Sequence, residues 1–234
     1  MRKLQTIAIV IFSTIIFSSC VVSTHETQVS VMNQETEMNY FDKVDVAGSM
    51  NVVLEQGDKC SVTVKGENEE AFRNLVVYVN KRGTLCIETQ KALMRVMFSN
   101  GMEGITVYVT TPTIKKISMA GSGELTTGSP IRSENLKVSL AGSGDVVFKK
   151  LLTCDKLHVD LAGSGNVTVK QLKADKLHTN LAGSGNAEYY NLDVAYAKSN
   201  IAGSGNVILQ GKVGSHKEGI AGSGSVDLSG LITR

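Results

Sequence analysis

Positive charge recurs at one fixed place in this chain. Lys116, Lys137, His158, His178, Lys198 and Lys217 each stand four residues before the alanine of a repeated Ala-Gly-Ser-Gly tetrapeptide. If successive repeats stack in register, the six form a basic stripe with neighbours about 5 Å apart. Such a stripe is suited to anions: an acidic glycan or the phosphates of lipopolysaccharide. The same lysines also suit a solvated outer face, where they block unwanted sheet contacts. Within the stripe His158, Asp160 and His178 would share one patch. Two imidazoles and a carboxylate are metal-ligand types, but strand-borne side chains of adjacent repeats often meet without forming a site, and no metal is assigned.

Two further positions repeat. Ser122, Ser143, Ser164, Ser184, Ser204 and Ser223 lie between glycines. A serine nucleophile on an elbow needs Gly-x-Ser-x-Gly between strand and helix, with one histidine and one acid beside it. Six equivalent serines form a structural ladder instead. After each motif comes Glu124, Asp145, Asn166, Asn186, Asn206 or Ser225. Stacked asparagine amides can hydrogen-bond along a ladder. Calcium β-rolls would require a Gly-Gly-x-Gly-x-Asp arrangement that this repeat lacks. No phosphate-binding loop, paired-cysteine zinc site or unique carboxylate pair occurs. The pattern points away from an enzyme and from any cofactor.

The elements that position these residues follow from the period. The tetrapeptides begin at Ala120, Ala141, Ala162, Ala182, Ala202 and Ala221, with spacings of 21, 21, 20, 20 and 19 residues. A degenerate copy, Val46-Ala47-Gly48-Ser49, opens the region. Around each copy apolar residues alternate with polar ones, as in Leu157, Val159, Leu161 and then Val167, Val169. That is the period of a half-buried strand. Each repeat reads as strand, glycine corner, strand and a polar turn such as Lys173-Ala174-Asp175-Lys176. About twenty residues cannot close a core alone; stacked, they form parallel ladders around one interior. Leucine-rich repeats are excluded, because the asparagine is displaced to Asn166 and no helix completes the repeat. The expected fold is therefore all-β, a parallel β-helix with coils of about twenty residues.

The earlier segment is less regular. Strands are expected at residues 62–64, 75–79, 84–88 and 105–109, and a short helix at 69–74. Residues 90–104, with Met94, Met97 and Met102, read as a loop or insertion. Atypical terminal repeats are expected where a stack is capped.

The 234 residues suffice for one sizeable domain, and a 42% hydrophobic content fits a buried core. A net charge of +2 gives no indication of nucleic acid. With 23 glycines and only two prolines, the glycines must serve turns. Arg2 and Lys3 precede an apolar run from Ile7 to Phe17, too short to span a bilayer comfortably. Phe17-Ser18-Ser19-Cys20 resembles the lipobox of bacterial lipoproteins, in which cleavage leaves a diacylated cysteine, here Cys20, as the new N-terminus. Two acyl chains make a stable anchor. The expected division is a signal peptide over 1–19, a lipidated flexible tether over 20–39 and a folded domain over 40–234. Within that domain, irregular coils occupy 40–115 and regular repeats 116–234. Cys60, Cys86 and Cys154 match no metal pattern. A Cys60–Cys86 bridge and buried free thiols are both compatible with the spacing.

Phe41-Asp42-Lys43-Val44, Gly83-Thr84-Leu85, Val107-Tyr108-Val109-Thr110-Thr111-Pro112 and the train of Ala-Gly-Ser-Gly-Asn/Asp-Val motifs together resemble a bacterial domain of unknown function, the putative auto-transporter adhesin, head GIN domain family. The resemblance runs from about Tyr40 to the C-terminus. It implies a right-handed parallel β-helix on envelope lipoproteins, chiefly of Bacteroidetes, and no catalytic residues. Three function classes follow. The first is a non-enzymatic adhesin or binding module for a glycan or protein. The second is a structural protein that assembles with itself or with partners in the envelope. The last in rank is a β-helix carbohydrate enzyme, which would need long loops and unique cleft residues. Val21 after Cys20 lacks the aspartate of an inner-membrane retention signal, so the expected location is the outer membrane, facing the surface or the periplasm.

Overall fold

From Lys116 onward the chain winds as a solenoid of about six turns. The structure, a computed structural model, describes residues 29, 32–89 and 104–233. Five strands build the regular part: β10 (Ile131–Gly142), β11 (Asp145–Gly163), β12 (Asn166–Gly183), β13 (Asn186–Gly203) and β14 (Asn206–Gly222). All pair in parallel with equivalent residues opposite one another, Leu157 with Leu177 and Ala162 with Ala182. Each long strand bends round the coil, so one turn has three faces rather than two. In β11 and β12 these carry Leu157, Val159 and Leu161 on the first, Val167 and Val169 on the second, and Leu172 and Ala174 on the third. All seven are buried. The segment expected as a polar turn at 173–176 is thus the third face and its corner, with Ala174 opposite Val194.

The glycine corner joins first face to second. Gly163 has φ +125°, and a side chain on it would collide with the carbonyl oxygen of Gly142. A Cβ on Gly165 would likewise meet the carbonyl oxygen of Gly144. That oxygen-lined approach is what lets coils stack: Gly142 O accepts from Ser164 N at 2.9 Å and Gly165 N at 3.0 Å. Backbone conformation and proximity both demand glycine there.

The N-terminal part is threaded out of order. β2 (Lys43–Ala47) lies between β8 (Lys116–Gly121) and β6 (Thr84–Thr89). β3 (Asn51–Gln56) lies between β9 (Glu124–Thr127) and β7 (Ile105–Thr111). The chain therefore lays an inner coil first, builds the outer one over it, and returns beneath. β5 (Leu75–Val79) pairs antiparallel with β6, and β4 (Ser61–Gly66) antiparallel with β7, which ends the parallel ladder. The helix α1 (Glu69–Asn74) connects them, with Asn68 Oδ1 capping Ala71 N at 2.9 Å.

One expected boundary shifts here, and one open alternative is decided. The tether does not extend to residue 39: β1 (Glu35–Glu37) pairs antiparallel with β4, and Met38 is buried in the core. The polar composition of this segment hid a strand whose exposed side chains alternate with backbone pairing. No bridge joins Cys60 to Cys86, because Cys60 is a buried free thiol beside Phe41 O and Thr111 Oγ1. Of the loop expected over 90–104, residues 90–103 lie outside the described residues, as does the segment with Cys20.

Candidate functional site

The outer side of the first face gathers the residues with chemistry. Lys116, Lys137, His158, His178, Lys198 and Lys217 are successive partners in one ladder, and Lys43 extends it beyond Lys116. Side chains two residues apart share this face, so a second row runs beside the first: Asn135, Lys156, Lys176, Tyr196 and Ser215. Lys156 and Lys176 double the positive charge at the centre. Among the described residues, Lys156, Lys176, Lys198 and Lys217 have no carboxylate within 4 Å. The crowding adds to the effect of burial at His178. Burial, together with the charges of Lys156, His158, Lys198 and Lys176, holds its imidazole below the usual histidine value.

A row on the other flank supplies the counter-charge. It holds Asp45, Ser118, Ser139, Asp160, Asn180 and Asn200. Lys137 Nζ lies 2.8 Å from Asp160 Oδ2, and His158 Nε2 lies 2.9 Å from Asp160 Oδ1. Asn180 Nδ2 donates to Asp160 Oδ1 at 2.9 Å, and Asn200 Nδ2 donates to Asn180 Oδ1 at 2.9 Å. Burial alone would raise the Asp160 carboxyl. The hydrogen bonds from His158, Asn180 and Lys137 outweigh it and hold the group well below the carboxylate range. Like charges stacked in register repel; one half-buried aspartate between Lys137 and His158 relieves the middle of the stripe. The C-terminal half keeps its excess.

His158, Asp160 and His178 do share a patch, with the two rings 6.2 Å apart. Asp160 is already occupied by Lys137, however, and among the described residues no group of three histidine, cysteine or acidic side chains is placed to hold a metal ion. The corner serines are exposed, and their ladder is one of backbone N–H groups rather than hydroxyls. Beyond the corner the amide ladder forms. Asn166 Nδ2 donates to Asp145 Oδ1 at 2.9 Å, and Asn186 Nδ2 to Asn166 Oδ1 at 3.2 Å. Asn206 Nδ2 donates to Asn186 Oδ1 at 3.2 Å, and Ser225 Oγ to Asn206 Oδ1 at 2.8 Å.

Sequence reasoning missed Lys43, the row of Lys156 and Lys176, and the second amide ladder through Asn180 and Asn200. The signal for Lys156 and Lys176 was present, since both stand two residues before a stripe histidine. Lys43 was hidden by the out-of-order threading.

A family model described as putative auto-transporter adhesin, head GIN domain, matches residues 40–231. No curated protein matches the chain. Among solved structures, a Bacteroides fragilis protein described as a putative adhesin is 18% identical with a TM-score of 0.62, covering 90% of this chain and 98% of its own. A Parabacteroides distasonis protein described as a putative lipid binding protein is 22% identical with a TM-score of 0.61, covering 88% and 96%. A putative adhesin of Parabacteroides merdae is 17% identical with a TM-score of 0.59, again covering 88% and 96%. At these identities the likeness is one of fold. The names attached to the family and to these neighbours are those of adhesins or binding proteins, not of enzymes.

Proposed function

The chain belongs to the putative auto-transporter adhesin, head GIN domain family, and from that premise we propose that it is a non-enzymatic binding module of the cell envelope, anchored by acylation of Cys20 at the outer membrane. Its ligand-bearing surface is the first face of the solenoid, and the ligand class is a polyanion, either an acidic glycan or a phosphate-bearing polymer. The family name suggests a surface role but does not choose a ligand, because one fold hosts many functions. The observation that carries the reading is the in-register cationic ladder with Lys156 and Lys176 beside it. A regular array of charge about 4.8 Å apart, uncompensated in its C-terminal half, matches a polymer with closely spaced anionic groups better than a single small ion.

The test is a titration of the purified chain with dextran sulfate at low and physiological salt. Binding should weaken as salt rises. The pair Lys198→Glu and Lys217→Glu should lose at least tenfold in affinity while keeping the thermal midpoint. Binding that ignores the charge reversal would sink the reading. The anchor is tested separately: metabolic labelling with palmitate should mark the chain, and Cys20→Ser should abolish it. Protease shaving of intact cells then decides orientation, since a surface module is digested and a periplasmic one is protected.

A second reading, assembly with other envelope components, has one observation in its favour. At the C-terminal end of the stack Ile220 is 43% exposed and Ile232 60% exposed. Sedimentation of the full chain in detergent would show concentration-dependent association abolished by Ile220→Lys, if assembly is the role.

A further inference from the structure

The corner between the third face and the first is hollow. A groove of about 920 Å³ runs across five successive coils, from Thr113 and Ile114 to Asp193 and Ala195. Its floor is made by small side chains, Ser133, Cys154 and Ala174, which are partners in one row. Elsewhere on this face the inward row is Ile131, Leu152 and Leu172. The change from large to small residues leaves the corner concave. At about 4.8 Å per coil the groove is about 19 Å long.

One rim is acidic over three coils, and the other carries both donors and acceptors. Arg132, Thr153, Lys173 and Asp193 form one row. Glu134, Asp155 and Asp175 stand two residues further on in the same three strands, and all three are exposed. Among the described residues, none of these three carboxylates lies within 4 Å of a base. The carboxylates do reach the floor electrostatically: burial first, then the charges of Asp155 and Asp175, push the Cys154 thiol up to about 12. Cys154 is therefore a neutral thiol in the floor and no nucleophile. At one end Tyr40 is 59% exposed, with its hydroxyl 2.6 Å from Thr113 Oγ1. At the other end Tyr196 follows Ala195.

We infer that this groove is a second ligand site, distinct from the cationic face, and that it takes a linear neutral glycan. Carboxylates only accept hydrogen bonds, guanidinium and ammonium groups only donate, and a sugar hydroxyl does both. A polyol can therefore satisfy both rims without bringing net charge. A polyanion would meet three unpaired carboxylates, and a polycation would meet Arg132 and Lys173. An extended peptide repeats its side-chain pattern about every 6.7 Å, out of step with rungs about 4.8 Å apart. One pyranose per rung is close to the natural step of an extended glycan. The exposed tyrosine at the end offers the flat apolar surface on which a sugar face stacks.

The test is calorimetric titration of the full chain in detergent with malto-, cello-, manno- and chito-oligosaccharides, from dimers to heptamers. At least one neutral series should bind, with affinity rising with length up to about the five coils the groove spans and little response to salt. Asp155→Asn with Asp175→Asn should weaken it at least tenfold, and so should Tyr40→Ala. All three positions are exposed, so the melting midpoint should hold. Dextran sulfate binding should survive these changes, and oligosaccharide binding should survive Lys198→Glu with Lys217→Glu. The inference is overturned if no neutral series binds, if binding is screened by salt, or if the groove variants bind like the wild type. Because the two probes read separate faces, failure of one leaves the other standing.

Discussion

At Asp160 one carboxylate accepts hydrogen bonds or ion pairs from Lys137, His158 and Asn180, side chains of three successive coils. Its side chain is 15% exposed, so the contacts are only partly screened. Asp160→Ala should cost about 1.5–3 kcal/mol at pH 7, the range for hydrogen bonds to a charged group. The sign with pH follows from the lowered folded value. The stabilisation is fully present above the unfolded aspartate value of about 3.9 and is lost as pH falls toward the folded one. The gap between wild type and variant in denaturant titrations should therefore narrow steadily as pH falls below about 3.9; a gap that does not narrow would assign the loss to packing instead. His178 titrates in the opposite chemical sense but with the same stability sign. Its imidazole is held below the usual value, so its contribution is present above about pH 6.5 and fades as pH falls through the lowered folded value. A polyanion laid over Lys156, Lys176 and Lys198 would cancel part of that repulsion and favour protonation. Dextran sulfate affinity should thus increase from about pH 7.5 to pH 5.5, and His178→Asn should flatten the increase. An equal slope in both proteins would exclude His178 from the effect.

Elements in this fold are held together from inside as well as by their ladders. Tyr189 on the second face and Thr179 on the first face of the same coil share a hydrogen bond of 2.7 Å in the interior, and both are fully buried. Burial raises the Tyr189 hydroxyl well above its usual value, with the Thr179 bond opposing, so it is a neutral partner at any physiological pH. Tyr189→Phe should strand the Thr179 hydroxyl and cost about 1–3 kcal/mol. Adding Thr179→Val should recover much of that loss, a coupling that a double-mutant cycle measures. Additive losses would mean the hydroxyls do not depend on each other. The element scale is also where the sequence reading fell short. Period-two alternation marked the first and second faces clearly, because each carries two or three inward apolar residues in a row. The third face offers only pairs such as Leu152 with Cys154 or Leu172 with Ala174, next to charged corner residues, and so resembled a turn. β1 was missed for a related reason: a three-residue strand of Glu-Thr-Glu has no apolar alternation to read.

For the whole molecule, the two ends of the stack differ. At the N-terminal end antiparallel β4 and β5 close the parallel ladder. At the C-terminal end β15 (Ser225–Asp227) and β16 (Leu231–Thr233) pair with residues 206–208 and 211–213 of β14. Among the described residues, 215–222 pair on one side only, with β13. The inward row there runs Val159, Thr179, Ser199 and Glu218, becoming polar toward the end. A stack whose repeats touch only their neighbours opens from its weaker end. Amide exchange should therefore be fastest at residues 215–222 and slowest in β11 and β12. Protection at 215–222 equal to that of β12 would show that something else covers this edge, which is what assembly predicts.

Some of this was written into the chain. The recurrence of Ala-Gly-Ser-Gly determined a stacked β architecture, since a corner repeated at that spacing can be satisfied only by coils of equal length. The same recurrence determined the register of the cationic stripe and of the Asp145–Asn206 amide ladder. Tertiary structure alone decided what depends on neighbours of unequal sequence position. The return of the chain beneath β2 brought Lys43 to the stripe. Bending of each strand round a third face opened the groove floored by Ser133, Cys154 and Ala174. The approach of Lys137 and Asn180 from adjacent coils made Asp160 a hub rather than a metal ligand. Periodicity along a chain specifies which residues share a face, but which charges meet across coils is fixed only by how the coils close.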